Sequence, residues 1–260
     1  MKGGRYRTQS TEIPILLYHH LEGEHPARSL YAVSVRQFER QLDVLRRWGF
    51  TTIQFRDLTE ARAGRCTMPR HPVILTFDDG YASFREYAAP ALSKRGMTAT
   101  TFLVAGEIGG CNRWDTGNGI PARALMKEEH IRETIAAGFE IGSHGWAHRD
   151  LLVCSEEEVG EEIRRSREAL EAKFAVQVRI FAYPYGRYSA AHYGQLVAAG
   201  YEGAVTVGSA KTAFHDDCFA IRRLNVNEHE TCLKLMLRIA FINLRAKAQS
   251  TRSTVTSAVT

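Results

Sequence analysis

The chain predicts an α/β fold, a distorted (β/α)7-8 barrel, on three observations. Short apolar runs alternate with amphipathic segments that stop at glycines. Ionisable residues collect immediately after the apolar runs. The 260 residues, 44% of them hydrophobic, suffice for one full-sized core. In a parallel barrel the C-terminal ends of the strands carry the chemistry, so residues after apolar runs are the first candidates for a site.

Ile13-Pro14-Ile15-Leu16-Leu17-Tyr18 reads as a strand ending in His19-His20, with residues 21–33 as loop. Ser34 suits the N-cap of a helix to Trp48, with Val35, Phe38, Leu42 and Leu45 at helical spacing and Gly49 as stop. Phe50 to Phe55 reads as a short strand, followed by a polar helix to Arg65. Residues 72–77 are a buried strand, and Gly80 lets the chain turn after it. A helix over 83–95 and a strand over 98–104 follow. Residues 105–122 form a loop of the length that is usually functional or disordered in a compact domain.

A helix over 128–137 leads to a strand over 139–142, which enters Ser143-His144-Gly145-Trp146-Ala147-His148. Ser155 and Glu158 form a capping box opening a long charged helix to Phe174. A strand over 178–182 enters Tyr183-Pro184-Tyr185-Gly186; a helix over 190–199 and strands over 203–207 and 219–224 complete the alternation. The expected divisions are an extension at 1–12, a catalytic domain at 13–227, a basic helix at 228–247 and a disordered Ser/Thr-rich tail at 248–260. In that last helix Leu233, Met236, Leu237, Ala240, Phe241 and Leu244 are expected to pack on the body.

Charge and cysteines exclude several classes. From Arg222 onward there are seven Lys/Arg and two Asp/Glu, while the preceding residues balance, so the net +5 resides at the C-terminal end. A neutral body does not suit nucleic acid, which needs a basic face on the fold itself. The basic end leaves room for weak contact with an anionic membrane surface. Five cysteines with no CxxC indicate neither a disulfide framework nor a cysteine metal site. No signal-peptide core and no apolar run of about 18 residues is seen, which leads to an expectation of a cytoplasmic protein. Nothing in the sequence bears on oligomeric state.

Four strand ends carry polar groups: His19-His20, Asp78-Asp79, His144 with His148, and Tyr183-Pro184-Tyr185-Gly186. Adjacent carboxylates resist ionising together unless a cation or a division of roles separates them. Asp78-Asp79 alone could equally be a turn in which one Asp caps the next helix. His144 and His148, four apart, fall on one side of a helical turn, and with a carboxylate they would make a site of three protein ligands and an open position, as in catalytic zinc sites.

Thr76-Phe77-Asp78-Asp79-Gly80, Ser143-His144-xxx-His148 and Phe181-Ala182-Tyr183-Pro184-Tyr185-Gly186 resemble, in order and spacing, the first three motifs of the polysaccharide deacetylases, the chitooligosaccharide-deacetylase-like carbohydrate esterases. The similarity runs from about residue 13 to 227 and implies the barrel of the glycoside hydrolase/deacetylase type. It also implies that Asp79, His144 and His148 bind a divalent metal, Zn²⁺ first, with Co²⁺, Ni²⁺ or Mn²⁺ as alternatives. Asp78 would be the base that deprotonates metal-bound water, and the Tyr185 N–H would stabilise the oxyanion. Tyr183, Pro184, Trp114 and Arg223 are the expected contacts to a carbohydrate such as an N-acetylglucosamine polymer.

Two positions depart from the family pattern. Ala182 stands where commoner members have an arginine that orients the base, and Arg222 or Arg223 could replace it. The late Leu-x-His that supplies an acid is absent at Leu224-Asn225-Val226, but Leu17-Tyr18-His19 occurs near the start. This resembles the circularly permuted subgroup that includes the poly-N-acetylglucosamine deacetylases and implies His19 as the acid, with His20 pointing elsewhere. Removal of N-acetyl groups is the expected reaction; an O-acetyl esterase acting on xylan and an inactive sugar-binding homologue are the alternatives. Trp114, Asp115 and Trp146 lie where sugar-stacking aromatics occur, although Trp146 reads equally as a residue closing the core.

Overall fold

Strand alternation decides which side chains meet. Residues 72–77 are buried at all six positions, as a parallel strand covered on both faces must be. Val73, Leu75 and Phe77 join the large cluster between sheet and helices, whereas Ile74 joins a smaller cluster inside the sheet. The inner row of period two then runs Ile74, Thr76, Asp78.

The computed structural model describes residues 13–23, 31–117, 120–208 and 217–241. Its strands are β1 (Ile15–Tyr18), β2 (His20–Glu22), β3 (Ala32–Ser34), β4 (Thr51–Ile53), β5 (Pro72–Phe77), β6 (Thr100–Leu103), β7 (Glu140–Ser143), β8 (Ile180–Ala182), β9 (Gly203–Val207) and β10 (Ile221–Asn225). Strands β1, β10, β9, β8, β7, β6 and β5 pair in that order, and β1 pairs back onto β5, closing a seven-stranded parallel barrel. Ile74 pairs with both Ile15 of β1 and Ile53 of β4. Strand β4 therefore lies along the early half of β5 on the edge opposite β1, and β6 takes the later half of that edge.

The fold matches the barrel expected from the alternation, with local differences. Residues 21–33 are not all loop: β2 and β3 form a two-stranded parallel sheet, His20 opposite Ala32, over-short for a periodicity signal. The helix Val35–Arg47 is capped by the Ser34 side chain accepting from the Gln37 N–H, as expected. The long charged helix is interrupted. Helical segments Glu156–Gly160 and Ser166–Phe174 flank a π-helical stretch, Glu161–Arg165, and the capping box at Ser155 and Glu158 is present. Such stretches are rare and recur at functional sites.

The last helix corrects the expected packing. It occupies residues 232–241 of the described chain and buries Leu235, Met236 and Ile239, while Leu233, Leu237, Ala240 and Phe241 face outward. The helix begins four residues later than expected. Arg238, bonded to Asn225 O and Glu230, and Lys234, paired with Glu230, set its rotation on the barrel. Leu244, the 1–12 extension and the 248–260 tail lie outside the described residues. No helix of the described residues is long and apolar enough to cross a membrane.

The register of this helix is open to a simple test. Leu235→Ala should destabilise the protein by about 2–4 kcal/mol in chemical denaturation. Leu233→Ala should change stability by less than about 0.5 kcal/mol.

Candidate active site

The parallel strands bring their C-terminal ends to one mouth. Tyr18 pairs with Phe77, and the Asp78 N–H donates to Tyr18 O at 3.0 Å, so His19 and Asp78 leave neighbouring strands side by side. His19, Asp78, Asp79, His144, His148 and Tyr185 line one cleft of about 200 Å³, together with Tyr31, Trp114, Asp115 and Asn225. Successive strand residues would point to opposite faces. Asp79 escapes this by a left-handed backbone, φ +71°, so both carboxylates look into the cleft. Gly80 follows at φ +73°, where a Cβ would lie 2.9 Å from Leu103 Cδ2.

Strain gathers at this mouth. Of the four described non-glycine residues at positive φ, three line the cleft: Asp79, His148 (φ +57°) and Tyr185 (φ +59°). Each costs about 1 kcal/mol or more and persists only where the surroundings over-determine it. The turn at Tyr185 is closed by Gly186 N–H to Tyr183 O (2.9 Å) and Arg187 N–H to Pro184 O (3.2 Å). The loop carrying the histidines is held by Glu162, buried in the π-helical stretch. Its carboxylate accepts the Trp146 N–H at 2.9 Å and the Ala147 N–H at 3.0 Å.

Asp79 Oδ1 lies 3.4 Å from both His144 Nε2 and His148 Nε2, and donor atoms of the three residues are all within 4.8 Å of one another. A ligand tetrahedron with bonds of about 2.1 Å has edges of about 3.4 Å, the separation found from Asp79 to each histidine, so these three residues could hold a divalent cation. The His144 Nδ1–H donates to Ala182 O at 2.8 Å, which makes Nε2 the nitrogen that meets Asp79 and, once deprotonated, the one that could ligate a cation. Burial works against charge on Asp79, but its bonds to the two histidines outweigh this and hold its pKa well below the usual carboxylate range. Burial likewise lowers the His144 pKa, and Asp78 and Asp79 reverse it to a net rise. A cation would displace that proton.

Asp78 is held differently. Arg223 Nη1 donates to Asp78 Oδ1 at 2.6 Å and Nη2 to Oδ2 at 2.7 Å, a planar fork on a planar carboxylate. Arg223 also donates to Thr76 Oγ1 and Thr206 O, and its guanidinium sits 5.3 Å from the Phe102 ring centroid. Burial would raise the Asp78 pKa; Arg223 and His144 outweigh it and lower it. Arg223, expected as a substrate contact, is fully buried behind Asp78 and does not line the cleft. Alternation on β10 turns Ile221, Arg223 and Asn225 inward and Arg222 outward, where it is exposed. Ala182 is buried in the barrel interior, and its methyl group offers Asp78 no hydrogen bond.

The remaining expected residues are placed as follows. His19 is in the cleft; burial lowers its pKa against the pull of Asp79 and Asp78, and its Nδ1 is buried with no hydrogen-bond partner among the described residues. His20 points away, its Nδ1 bonded to Ser83 Oγ (3.0 Å) and its Nε2 to Arg123 (2.7 Å), with a pKa pushed down to about 4 by burial and Arg123. The Tyr183 side chain is buried, its hydroxyl on Phe219 O at 2.9 Å, and Pro184 is buried beside it. Tyr185 is half exposed at the rim. Trp146 packs against the core under Arg165 and does not line the cleft. Glu162 escaped sequence reasoning. Its one signal is a carboxylate on the buried row of a helix, three residues after Val159 and four before Ser166.

A family model described as polysaccharide deacetylase matches residues 65–204. YxkH of Bacillus subtilis (strain 168), which carries polysaccharide deacetylase in its name, is 26% identical over 216 residues, 83% of this chain and 72% of YxkH. A poly-beta-1,6-N-acetyl-D-glucosamine N-deacetylase of Staphylococcus aureus (strain MRSA252) is 25% identical over 166 residues, 60% of this chain and 54% of that protein. Among solved structures, the Streptococcus pyogenes deacetylase PplD in complex with acetate has a TM-score of 0.74 at 23% identity, covering 87% of this chain and 97% of that one. IcaB from Ammonifex degensii has a TM-score of 0.70 at 24% identity, covering 88% and 97%. These two structures share the fold.

The buried fork makes a direct prediction. Arg223→Met leaves Asp78 as an unpaired buried charge and should cost about 3–5 kcal/mol of stability in thermal or chemical denaturation. Arg222→Met should cost less than about 0.5 kcal/mol.

Proposed function

The chain belongs to the polysaccharide deacetylase family, and we propose that it hydrolyses N-acetyl groups of an amino-sugar polysaccharide or oligosaccharide, with a divalent cation held by Asp79, His144 and His148. The observation that carries this reading is the division of the carboxylate pair: Asp79 among two histidines, Asp78 on a buried arginine fork. The relative named a poly-beta-1,6-N-acetyl-D-glucosamine N-deacetylase supports a β-1,6-linked N-acetylglucosamine polymer as the substrate class.

A cation held by Asp79, His144 and His148 would supply Lewis acidity, which lowers the pKa of water and polarises a carbonyl. Asp78 accepts the proton of the attacking water. With its pKa lowered by Arg223, it is ionised at neutral pH yet weakly basic, so it needs an acidified water to act on. Arg223 holds both Asp78 oxygens in one plane and fixes the direction of that transfer. A C–O bond forms to the acetyl carbon, and the oxyanion is met by the Tyr185 N–H at the turn that Pro184 stiffens. His19, neutral before turnover because burial lowers its pKa, takes up a proton from solvent as negative charge builds beside it. It hands that proton to the leaving nitrogen as the C–N bond breaks, giving acetate and a free amine, and Asp78 returns the water's proton to solvent. An amine leaves poorly without that proton, which is why an acid in the cleft favours amide over ester substrates.

Acetate release from β-1,6- and β-1,4-linked N-acetylglucosamine oligosaccharides and from acetylated xylan tests the reading. Release from the amino sugars should exceed release from xylan, vanish after dialysis against a chelator and return with Zn²⁺ or Co²⁺. Full activity after chelation, or release from xylan alone, contradicts it. His19→Ala should lower kcat on the amide substrate about 10²-fold or more, with a smaller effect on an activated acetate ester that needs no proton to leave.

A further inference from the structure

His144 and His148 reach the same carboxylate oxygen but are held by different means. His144 Nδ1–H donates to Ala182 O, which fixes both ring rotation and tautomer. His148 Nδ1 is buried and has no hydrogen-bond partner among the described residues. Its Nε2 meets Asp79 Oδ1 at 3.4 Å, and no second polar contact among the described residues fixes the plane of the ring. The contacts that do are aromatic. The Trp114 indole lies nearly parallel to the His148 ring, centroids 4.5 Å apart at 19°. Tyr185 meets the His148 ring edge-on at 4.6 Å and 74°, and His144 meets it at 4.7 Å and 77°.

We propose that Trp114 is a positioning residue of the metal site: its indole face sets the rotation of the His148 ring, keeping Nε2 on Asp79, in place of the hydrogen bond that holds His144. This rests on the reading that Asp79, His144 and His148 hold a cation. The indole is delivered by an anchored segment. The helical turn Arg113–Thr116 follows Asn112, which is fully buried and accepts the Arg123 N–H at 2.6 Å. Arg113 pairs with Glu107 at 2.6 Å, and Cys111 bridges Ala124. A flat apolar partner limits tilt of the imidazole, but it adds no basicity to the ring as a hydrogen bond to Nδ1 would. Loss of the indole should therefore loosen cation binding before it affects sugar binding. The stack occupies one face of Trp114.

The test is the affinity for Co²⁺ and Zn²⁺ alone, measured on the full chain by competition with a chromophoric chelator, with the visible spectrum of the Co²⁺-loaded protein as second readout. Trp114→Phe keeps a flat face and should bind within about threefold of the unaltered protein. Trp114→Leu and Trp114→Met keep apolar bulk without the face and should each bind about tenfold or more weakly, with a changed Co²⁺ spectrum, the range typical of lost outer contacts to a ligand. KM for the oligosaccharide at saturating metal should change less than twofold. If the folded leucine or methionine variant matches the unaltered affinity and spectrum, the proposal is wrong. A raised KM with unaltered metal affinity also overturns it and assigns the indole to sugar. If the unaltered protein binds neither cation while His144→Ala behaves identically, the metal reading itself fails, and this inference with it.

Discussion

The Arg223–Asp78 fork is the interaction on which the rest of the site depends. Two neighbouring carboxylates under a protein surface cannot both ionise without separate compensation. Arg223 provides it for Asp78 from inside the barrel, with each of its three guanidinium nitrogens donating to Asp78, Thr76 or Thr206. Asp79 is thereby freed to face the histidines. The buried ion pair is not a simple source of stability, because desolvating two charges offsets much of their attraction. Its use is orientation: it fixes the base and leaves Asp79 to face the two histidines.

Around that pair the barrel concentrates conformational strain where side chains must be re-aimed. Asp79, His148 and Tyr185 all take left-handed backbone at strand ends, and each is braced by a neighbour. Gly80 fits against Leu103, Glu162 clamps the histidine loop through two N–H groups, and Gly186 lies where a Cβ would meet Val207 at 2.7 Å. The π-helical stretch that offers Glu162 to the loop has its own consequence: a regular helix would carry that carboxylate to a different angle on the barrel. Strain at the mouth and irregularity in the covering helix are thus two sides of one arrangement.

Much of this was legible in residues. The barrel follows from strand–helix alternation. His19, Asp78, Asp79, His144, His148 and Tyr185, singled out because they follow apolar runs, do meet in one cleft. Alternation also separates His19 from His20 and Arg223 from Arg222, since Ile15, Leu17 and His19 share one face of β1, and Ile221 and Arg223 one face of β10. Other features were hidden for physical reasons. Glu162 lies in a charged helix where a buried acid looks like any solvated one. Three-residue strands β2 and β3 are too short to show a period. In the last helix, apolar residues fall on both faces, so spacing alone could not choose between Leu235 with Ile239 and Leu233 with Leu237. Trp114 was legible as an aromatic near the site, but its stacking partner was not.

The central claim is that the two adjacent carboxylates have opposite tasks, and one paired measurement addresses it directly. Zn²⁺ stoichiometry by equilibrium dialysis and acetate release from an N-acetylglucosamine oligosaccharide are determined on the same folded samples of Asp78→Asn and Asp79→Ala. The account predicts that Asp78→Asn retains one equivalent of Zn²⁺ and loses about 10²-fold or more of its turnover, while Asp79→Ala loses both. Retention of turnover by Asp78→Asn, or equal loss of Zn²⁺ from the two variants, would contradict it.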